Sequence, residues 1–325
     1  MSRILAAPAV GIVADPVASS AEPRSVRAPI CPICGGAPAR LAFPYETIWN
    51  GKIFRYRRCE SCETTSVDPV PDEAELKTIY AWDNYHSRHF GKRDNCDRHR
   101  ASVAFLATQL PPERRLLDFG CGDGAYLLAA RESGYHSHGV EYDRGVIEHA
   151  AQRSGVPVTS LEEVEALDMR FDVIHMNDVL PHLSDPSAVL HRLERLLAPN
   201  GVFFIEGPLE NNASLVFWAA SAGKRIRRRL GLDRPGEQPP TMLMRVTRDG
   251  QRRFFSDKMR YRELHFEICE TGWPYYVAGR RLDSAAVVVK QAVGALAIAT
   301  ARLQPSRGRV LGNRFRGLFA PAGRG

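Results

Sequence analysis

Residues Leu116 to Gly124 read Leu-Leu-Asp-Phe-Gly-Cys-Gly-Asp-Gly, an apolar run that stops at an acid and breaks into a glycine turn. A helix-compatible stretch, Ala125 to Ser133, follows. Then comes a short apolar segment, Ser137 to Val140, ended by a second acid, Glu141. Strand, backbone-exposing loop, helix and second strand in this order present a ligand at the carboxyl edge of an open parallel sheet. Glycines at 120, 122 and 124 let the chain turn sharply and let a ligand touch backbone where a Cβ would intrude. Glu141, 23 residues after Asp118, is placed to accept hydrogen bonds from both hydroxyls of a ribose.

Gly120-x-Gly122-x-x-Ala125 also fits a dinucleotide fingerprint, and charge separates the two ligands. Asp118 and Asp123 flank the turn, where a pyrophosphate needs neutral or positive surroundings. Two carboxylates suit a ligand carrying a sulfonium and an ammonium, which is S-adenosylmethionine. The block resembles the first motif of the class I S-adenosylmethionine-dependent methyltransferases, and Val140-Glu141-Tyr142-Asp143 resembles their second. Phe171 to Pro186 is similar to the later strand and loop over the methionine end, and Leu193 to Glu206 to the next helix and strand. The resemblance spans Leu76 to Glu206. It implies an α/β fold with a Rossmann-like doubly wound sheet. The implied cofactor cradle is Asp118, Gly120, Cys121, Gly122, Gly124 and Glu141, with Asn177 and Asp178 at the methionine end.

Four of the seven cysteines fall as Cys31-Pro-Ile-Cys34 and Cys59-Glu-Ser-Cys62, two knuckles separated by 24 residues. Each turn brings two thiolates together, and the pair can close a tetrahedron around zinc. The intervening Lys52-Ile-Phe-Arg-Tyr-Arg-Arg alternates as a ribbon strand does. Two disulfides are the competing reading, and the reducing cytosol implied by the cofactor argues against them. The zinc is expected to be structural, because four thiolates leave no open position. Cys121 reads as a small residue in the turn rather than a nucleophile.

The organisation read from the sequence is a disordered leader over 1–29, a zinc ribbon over 30–70, and a cytoplasmic cofactor-binding domain over 71–325. The leader only faintly mimics a secretion signal, since Pro8 and Asp15 interrupt its short apolar core. No run of about 18 uninterrupted apolar residues is present, so no spanning helix is expected. Net charge is +7, but from Ala222 onward 22 Lys and Arg face 8 Asp and Glu. That is +14, and it leaves −7 for the part that carries the cofactor motifs. A basic last third points to an anionic substrate or surface, or simply to solvated helix faces.

A capped helix is expected after Pro71-Asp72, and a helix over Cys96 to Leu110. Strands are expected near 115–119, 137–141, 171–176 and 201–206. Gly207 to Arg253 reads as irregular, Asp257 to Glu270 as a helix capped by Ser256, and Trp273 to Val277 as the sixth strand. Asp283 to Leu303 reads as a long helix, apolar enough to rest on lipid or to complete the core, and Arg314 to Ala320 as the last strand.

Methyl transfer from a sulfonium needs alignment and dryness, and a base only where the acceptor must lose a proton. His182, after the fourth strand, is the candidate base, with packing on the loop as its alternative role. His175, inside the apolar strand, reads as a core histidine. Tyr85 and His86 are candidates for a lid or for local packing. Methyltransferases of the resembling group with a four-cysteine leader often act on sugars in glycan or secondary-metabolite assembly. Many show a histidine where this chain has Arg252-Arg253. The substitution favours an anionic handle such as a nucleotide diphosphate, bound by Arg252 and Arg253. The alternatives are a ribosomal or transfer RNA methyltransferase, a non-catalytic module that retains the fold, and an NAD enzyme. The partner expected is thus a small or glycan acceptor. Nucleic acid is the less favoured partner, and peripheral membrane contact is left open.

Overall fold

The computed structural model describes residues 30–81, 96–277, 279, 281–305 and 308–322. The expected leader over 1–29 and the aromatic stretch with Tyr85 and His86 lie outside them.

The ribbon begins as the spacing predicts. Cys31 N–H donates to the Gly36 carbonyl at 2.7 Å and closes the first knuckle. Strands β1 (Pro38–Trp49) and β2 (Lys52–Cys59) pair antiparallel across Asn50-Gly51, both at positive φ (49° and 73°). A two-residue turn of this hand matches the twist of the strands it joins. The alternation in β2 turns Phe54 and Tyr56 inward, where they meet Val67 of β3 (Thr65–Asp68) and Leu243. Asp72 then starts the helix Glu73–Ile79 with a reciprocal capping box to Glu75. Two short later strands complete this sheet. Gly236–Glu237 pairs beside β1 and Met244–Arg245 beside β3, so segments from far along the chain cover both ribbon edges.

The second sheet has five parallel strands. They are β4 (Arg115–Phe119), β5 (His136–Val140), β6 (Val158–Thr159), β7 (Phe171–Asn177) and β8 (Leu197–Pro208). Its order is β6-β5-β4-β7-β8, then Arg314–Pro321 and Tyr261–Cys269, both joined antiparallel. Helices cover both faces, so the inner strands read as continuous apolar runs rather than alternations. Ile174, Met176, Phe203 and Ile205 face one core, while Val173, Val202 and Phe204 face the other. Ile33 and the buried knuckle cysteines belong to the first core, continuous with Phe254 and Leu180.

Three expected elements differ. The helix over Asp257 to Glu270 is instead a strand, Tyr261–Cys269, paired along its length with Arg314–Pro321. Ser256 does not cap; its hydroxyl donates to Asp257. Stacking of Phe266 on Phe315 and of Phe255 on Phe319 outweighs the local helical signal. Trp273 to Val277 is a turn, not the sixth strand. The region read as irregular contains a helix, Leu215–Arg229, whose first turn is capped by the Ser214 hydroxyl. The long helix is present as Ala285–Arg302, with Ser284 as its cap.

Candidate cofactor site and metal centre

The loop after β4 makes three left-handed turns, at Gly120, Gly122 and Gly124 (φ 71°, 55° and 77°). Side chains are excluded as well as strained here. A Cβ on Gly124 would lie 2.7 Å from the Ala150 carbonyl oxygen, and one on Gly120 would lie 2.6 Å from Val179. Gly120 and Cys121 both donate to the Val140 carbonyl, which fixes the loop over the end of β5. Glu141 closes it from the other side. Its Oε1 accepts from Gly122 N–H at 2.9 Å and its Oε2 from Tyr142 N–H at 2.8 Å. Burial nevertheless raises the Glu141 pKa, with the two backbone donors pulling against it and Asp118 and Asp143 adding to it. A carboxylate oxygen has further lone pairs, so the latch and a ribose hydroxyl can share it. Cys121 is buried against Leu127, Ala150 and Val158, and burial holds it as a thiol, well above its usual pKa.

Asp118 is a correction. Instead of facing a cationic ligand it is 2% exposed, and it meets His175 Nδ1 at 2.7 Å. His175 is fully buried and stacks on Tyr126 at 3.6 Å. Its Nε2 lies 3.5 Å from Glu206 Oε2, near enough for an ion pair but not aligned as a hydrogen bond. Arg316 Nε donates to the other Glu206 oxygen at 2.7 Å, and the Ser102 hydroxyl also meets this carboxylate. Burial alone would lower the His175 pKa, but Asp118 and Glu206 together raise it. Burial would likewise raise that of Glu206, which His175 and Arg316 hold far below the carboxylate range. The sheet thus carries a buried chain of alternating charge beneath the cofactor loop. Glu206 went unnoticed in the sequence, although it ends an apolar run just as Asp118 and Glu141 do.

Asp178, at positive φ (60°), turns the chain off β7. Arg314 donates to Asp178 at 2.6 Å and to Asn177 at 3.1 Å, and Arg98 reaches the same two residues at 3.2 Å. Burial would raise the Asp178 pKa, but the two guanidiniums keep it low. Arginines therefore border the expected methionine end, a feature invisible locally because the partners lie 80 and 136 residues away.

His182 ends a short turn, Leu180–His182. Its Nδ1 lies 2.5 Å from the Thr241 carbonyl, which also accepts the Tyr80 hydroxyl at 2.7 Å. With Nδ1–H donating there, Nε2 is the ring's proton-accepting nitrogen. The two substrate candidates part company. Arg252 forms a bidentate pair with Glu263 at 2.6 and 2.8 Å and lies over Phe266. Arg252 is thus engaged by Glu263, which corrects its reading as a residue that binds the anionic handle. Arg253 donates to the Ser61 carbonyl and has no carboxylate partner among the described residues. It lines a cleft of 630 Å³ with Phe217, Trp218 and two further arginines, Arg58 and Arg248, which pair with Glu63 and Asp249 of the same lining at 2.9 and 2.7 Å. Asn211 and Asn212, just beyond β8, form another wall of it, at the carboxyl edge of the sheet.

The sulfurs of Cys31, Cys34, Cys59 and Cys62 all lie within 4.8 Å of one another, with two pairs at 3.5 Å. Tetrahedral zinc with Zn–S of about 2.3 Å needs sulfurs roughly 3.8 Å apart, so the donor set fits. A Cβ on Gly36 would crowd Cys59 and Cys34 Sγ at 3.2 and 3.4 Å.

Sheet order, glycine loop and ribose acid together define the class I S-adenosylmethionine-dependent methyltransferase fold. The family described as methyltransferase domain matches residues 87–256, just over half of the chain, and the chain belongs to it. Among curated relatives, the ubiquinone biosynthesis O-methyltransferase of Aeromonas salmonicida is 30% identical over 100 residues, which is 28% of this chain and 42% of that protein. Its counterpart in Pasteurella multocida is 32% identical over 130 residues, 33% of this chain and 50% of that one. The chain spans about half the length of the curated relatives it matches. A solved structure, the 1,6-didemethyltoxoflavin-N1-methyltransferase of Burkholderia thailandensis with bound 1,6-didemethyltoxoflavin and S-adenosylhomocysteine, is 17% identical. It covers 81% of this chain and 96% of its own, with a TM-score of 0.47.

Proposed function

We propose that this chain methylates a small anionic acceptor, a sugar or secondary-metabolite precursor with a diphosphate-class handle, using S-adenosylmethionine. When bound, the cofactor supplies a methyl group already activated on sulfur, so the protein's work is alignment and exclusion of water. The observation that carries the cofactor reading is the Glu141 latch across a loop with no room for side chains. Where the acceptor is a hydroxyl, His182 takes its proton through Nε2. Relatives named as O-methyltransferases support an oxygen acceptor. The four thiolates hold one structural zinc. The arginine-lined cleft is the place for the handle, with Arg253 as its binding residue and Arg252 as scaffold.

S-adenosylhomocysteine is expected to bind and to raise the melting temperature by mass action. Glu141→Ala should weaken that binding by about 1.5–3 kcal/mol, the range for a hydrogen bond to a charged group. Isothermal titration calorimetry measures this, and an unchanged affinity removes the ribose assignment. In a methyl-transfer assay on nucleotide-linked sugars, Arg253→Ala should raise the acceptor KM several-fold at unchanged kcat and cofactor affinity. Arg252→Ala should leave KM alone and cost at most about 1 kcal/mol of stability, as expected for a half-exposed ion pair. An Arg253→Ala enzyme as effective as the parent would rule out the cleft as the acceptor site.

A further inference from the structure

Helix Ala285–Arg302 is the one helix among the described residues long and apolar enough, by length and composition, to cross a membrane, yet only 17% of it is buried. One side is tied to the protein. Gly294, Ala297 and Ala301 are buried, a Cβ on Gly294 would strike Tyr276, and the Gln291 side chain bonds both the N–H and the carbonyl of Val277 at 2.8 Å. The other side is apolar and in water. Val288, Ala292, Leu296, Ala299 and Leu303 recur at helical spacing, with Val289 beside them. Val289, Leu296 and Leu303 are 62%, 57% and 85% exposed. This stripe runs about 22 Å along the axis at 1.5 Å per residue. A helix held by one side and apolar on the other is built to lie in an interface, not to thread a bilayer.

The neighbouring element indicates which interface. Helix Leu215–Arg229 packs against Ala285–Arg302 and ends in Lys224, Arg225, Arg227, Arg228 and Arg229, followed by exposed Leu230 and Leu232. Lys224 pairs with Asp233, and Arg228 lies 4.0 Å from Glu46. Arg225, Arg227 and Arg229 have no carboxylate partner among the described residues. Neither helix contains an Asp or Glu. A second copy of this chain would set arginines against arginines across a twofold axis. An anionic lipid surface offers counter-charge to the arginines and hydrocarbon to the stripe.

We propose that these two helices form a docking surface for anionic phospholipid, on which the protein sits peripherally. This does not rest on the acceptor reading: Phe217 and Trp218 at the start of the first helix line the arginine cleft, but Arg225, Arg227, Arg229 and the apolar stripe do not, and none of them belongs to the cofactor loop. The test is flotation of the full chain with vesicles of phosphatidylcholine alone or mixed with phosphatidylglycerol. Binding is expected only to the mixed vesicles and should fall with added salt. Leu296→Asp with Val289→Asp, and separately Arg225→Gln with Arg227→Gln and Arg229→Gln, should each weaken it at least roughly tenfold. Melting temperature and S-adenosylhomocysteine affinity serve as folding controls, and the substituted side chains are exposed. No binding to mixed vesicles, equal binding to both vesicle types, or variants that bind like the parent would overturn the proposal. So would a concentration-dependent dimer in sedimentation velocity that Leu296→Asp dissolves while vesicle binding is absent.

Discussion

Removing the metal from the four-cysteine cluster, by chelation or by Cys59→Ser, is expected to melt more than the ribbon. Structural zinc contributes about 10–16 kcal/mol to small zinc domains, against a net stability of about 5–15 kcal/mol for a typical domain. The sequence alone points to a ribbon that unfolds first, as a separate leader. The structure changes that expectation. Cys31, Ile33, Cys59 and Cys62 share one core with Leu180, Phe254 and Phe315, and the ribbon sheet contains Met244–Arg245. The Thr65 hydroxyl accepts from Asn211, and Lys258 donates to the Pro32 carbonyl, binding the knuckles to the larger sheet from two sides. Loss of metal should therefore lower the melting temperature of the whole chain in one transition, followed by circular dichroism. Elemental analysis should give one zinc per chain in freshly reduced protein. Protein without zinc, or with a melting curve indifferent to chelator, would remove the assignment.

The second large effect is expected from His175→Leu. The substitution fits the volume but leaves Asp118 and Glu206 buried without the cation between them. Breaking a buried pair in this way costs about 3–5 kcal/mol. The pH dependence should carry the same signature. Asp118 and Glu206 hold the imidazole pKa above its ordinary value, so its stabilising contribution is complete below about pH 6.5 and is lost as pH rises through the raised value. Glu206 is held low, so its contribution is present above about pH 4.5 and is lost as acid protonates it. Stability should peak between these limits in the parent and show a flatter alkaline limb in the variant. Urea titrations from about pH 2 to 9 measure both limits, and a His175→Leu protein as stable as the parent would show that the triad is dispensable.

What the sequence reveals divides along contact distance. The strand, glycine turn and helix from Leu116 to Glu132 are legible because the apolar run, the glycines and the helix formers are all local. The two knuckles are legible for the same reason. Strand Tyr261–Cys269 is not, since its pairing with Arg314–Pro321 lies about fifty residues downstream and a nearby serine imitates a cap. Ser214, by contrast, is a cap that local reading could have found. Charge is the harder part. An arginine count locates the basic third of the chain, but not that Arg252 is claimed by Glu263 while Arg253 opens onto a cleft. Asp118 shows the limit most clearly. Its position at the end of a strand is evident, but the direction it faces depends on His175 of the neighbouring strand.

The borrowed edges of the ribbon also bear on how the chain is made. All four cysteines leave the ribosome by residue 62, but the strands that cover the ribbon edges come at 236–237 and 244–245. At 5–20 residues per second, that interval lasts roughly ten to forty seconds. Throughout it, β1 and β3 offer open edges to any other nascent strand. A transcript or protease product that stops short of residue 236 should therefore aggregate through its ribbon, even with every metal ligand in place.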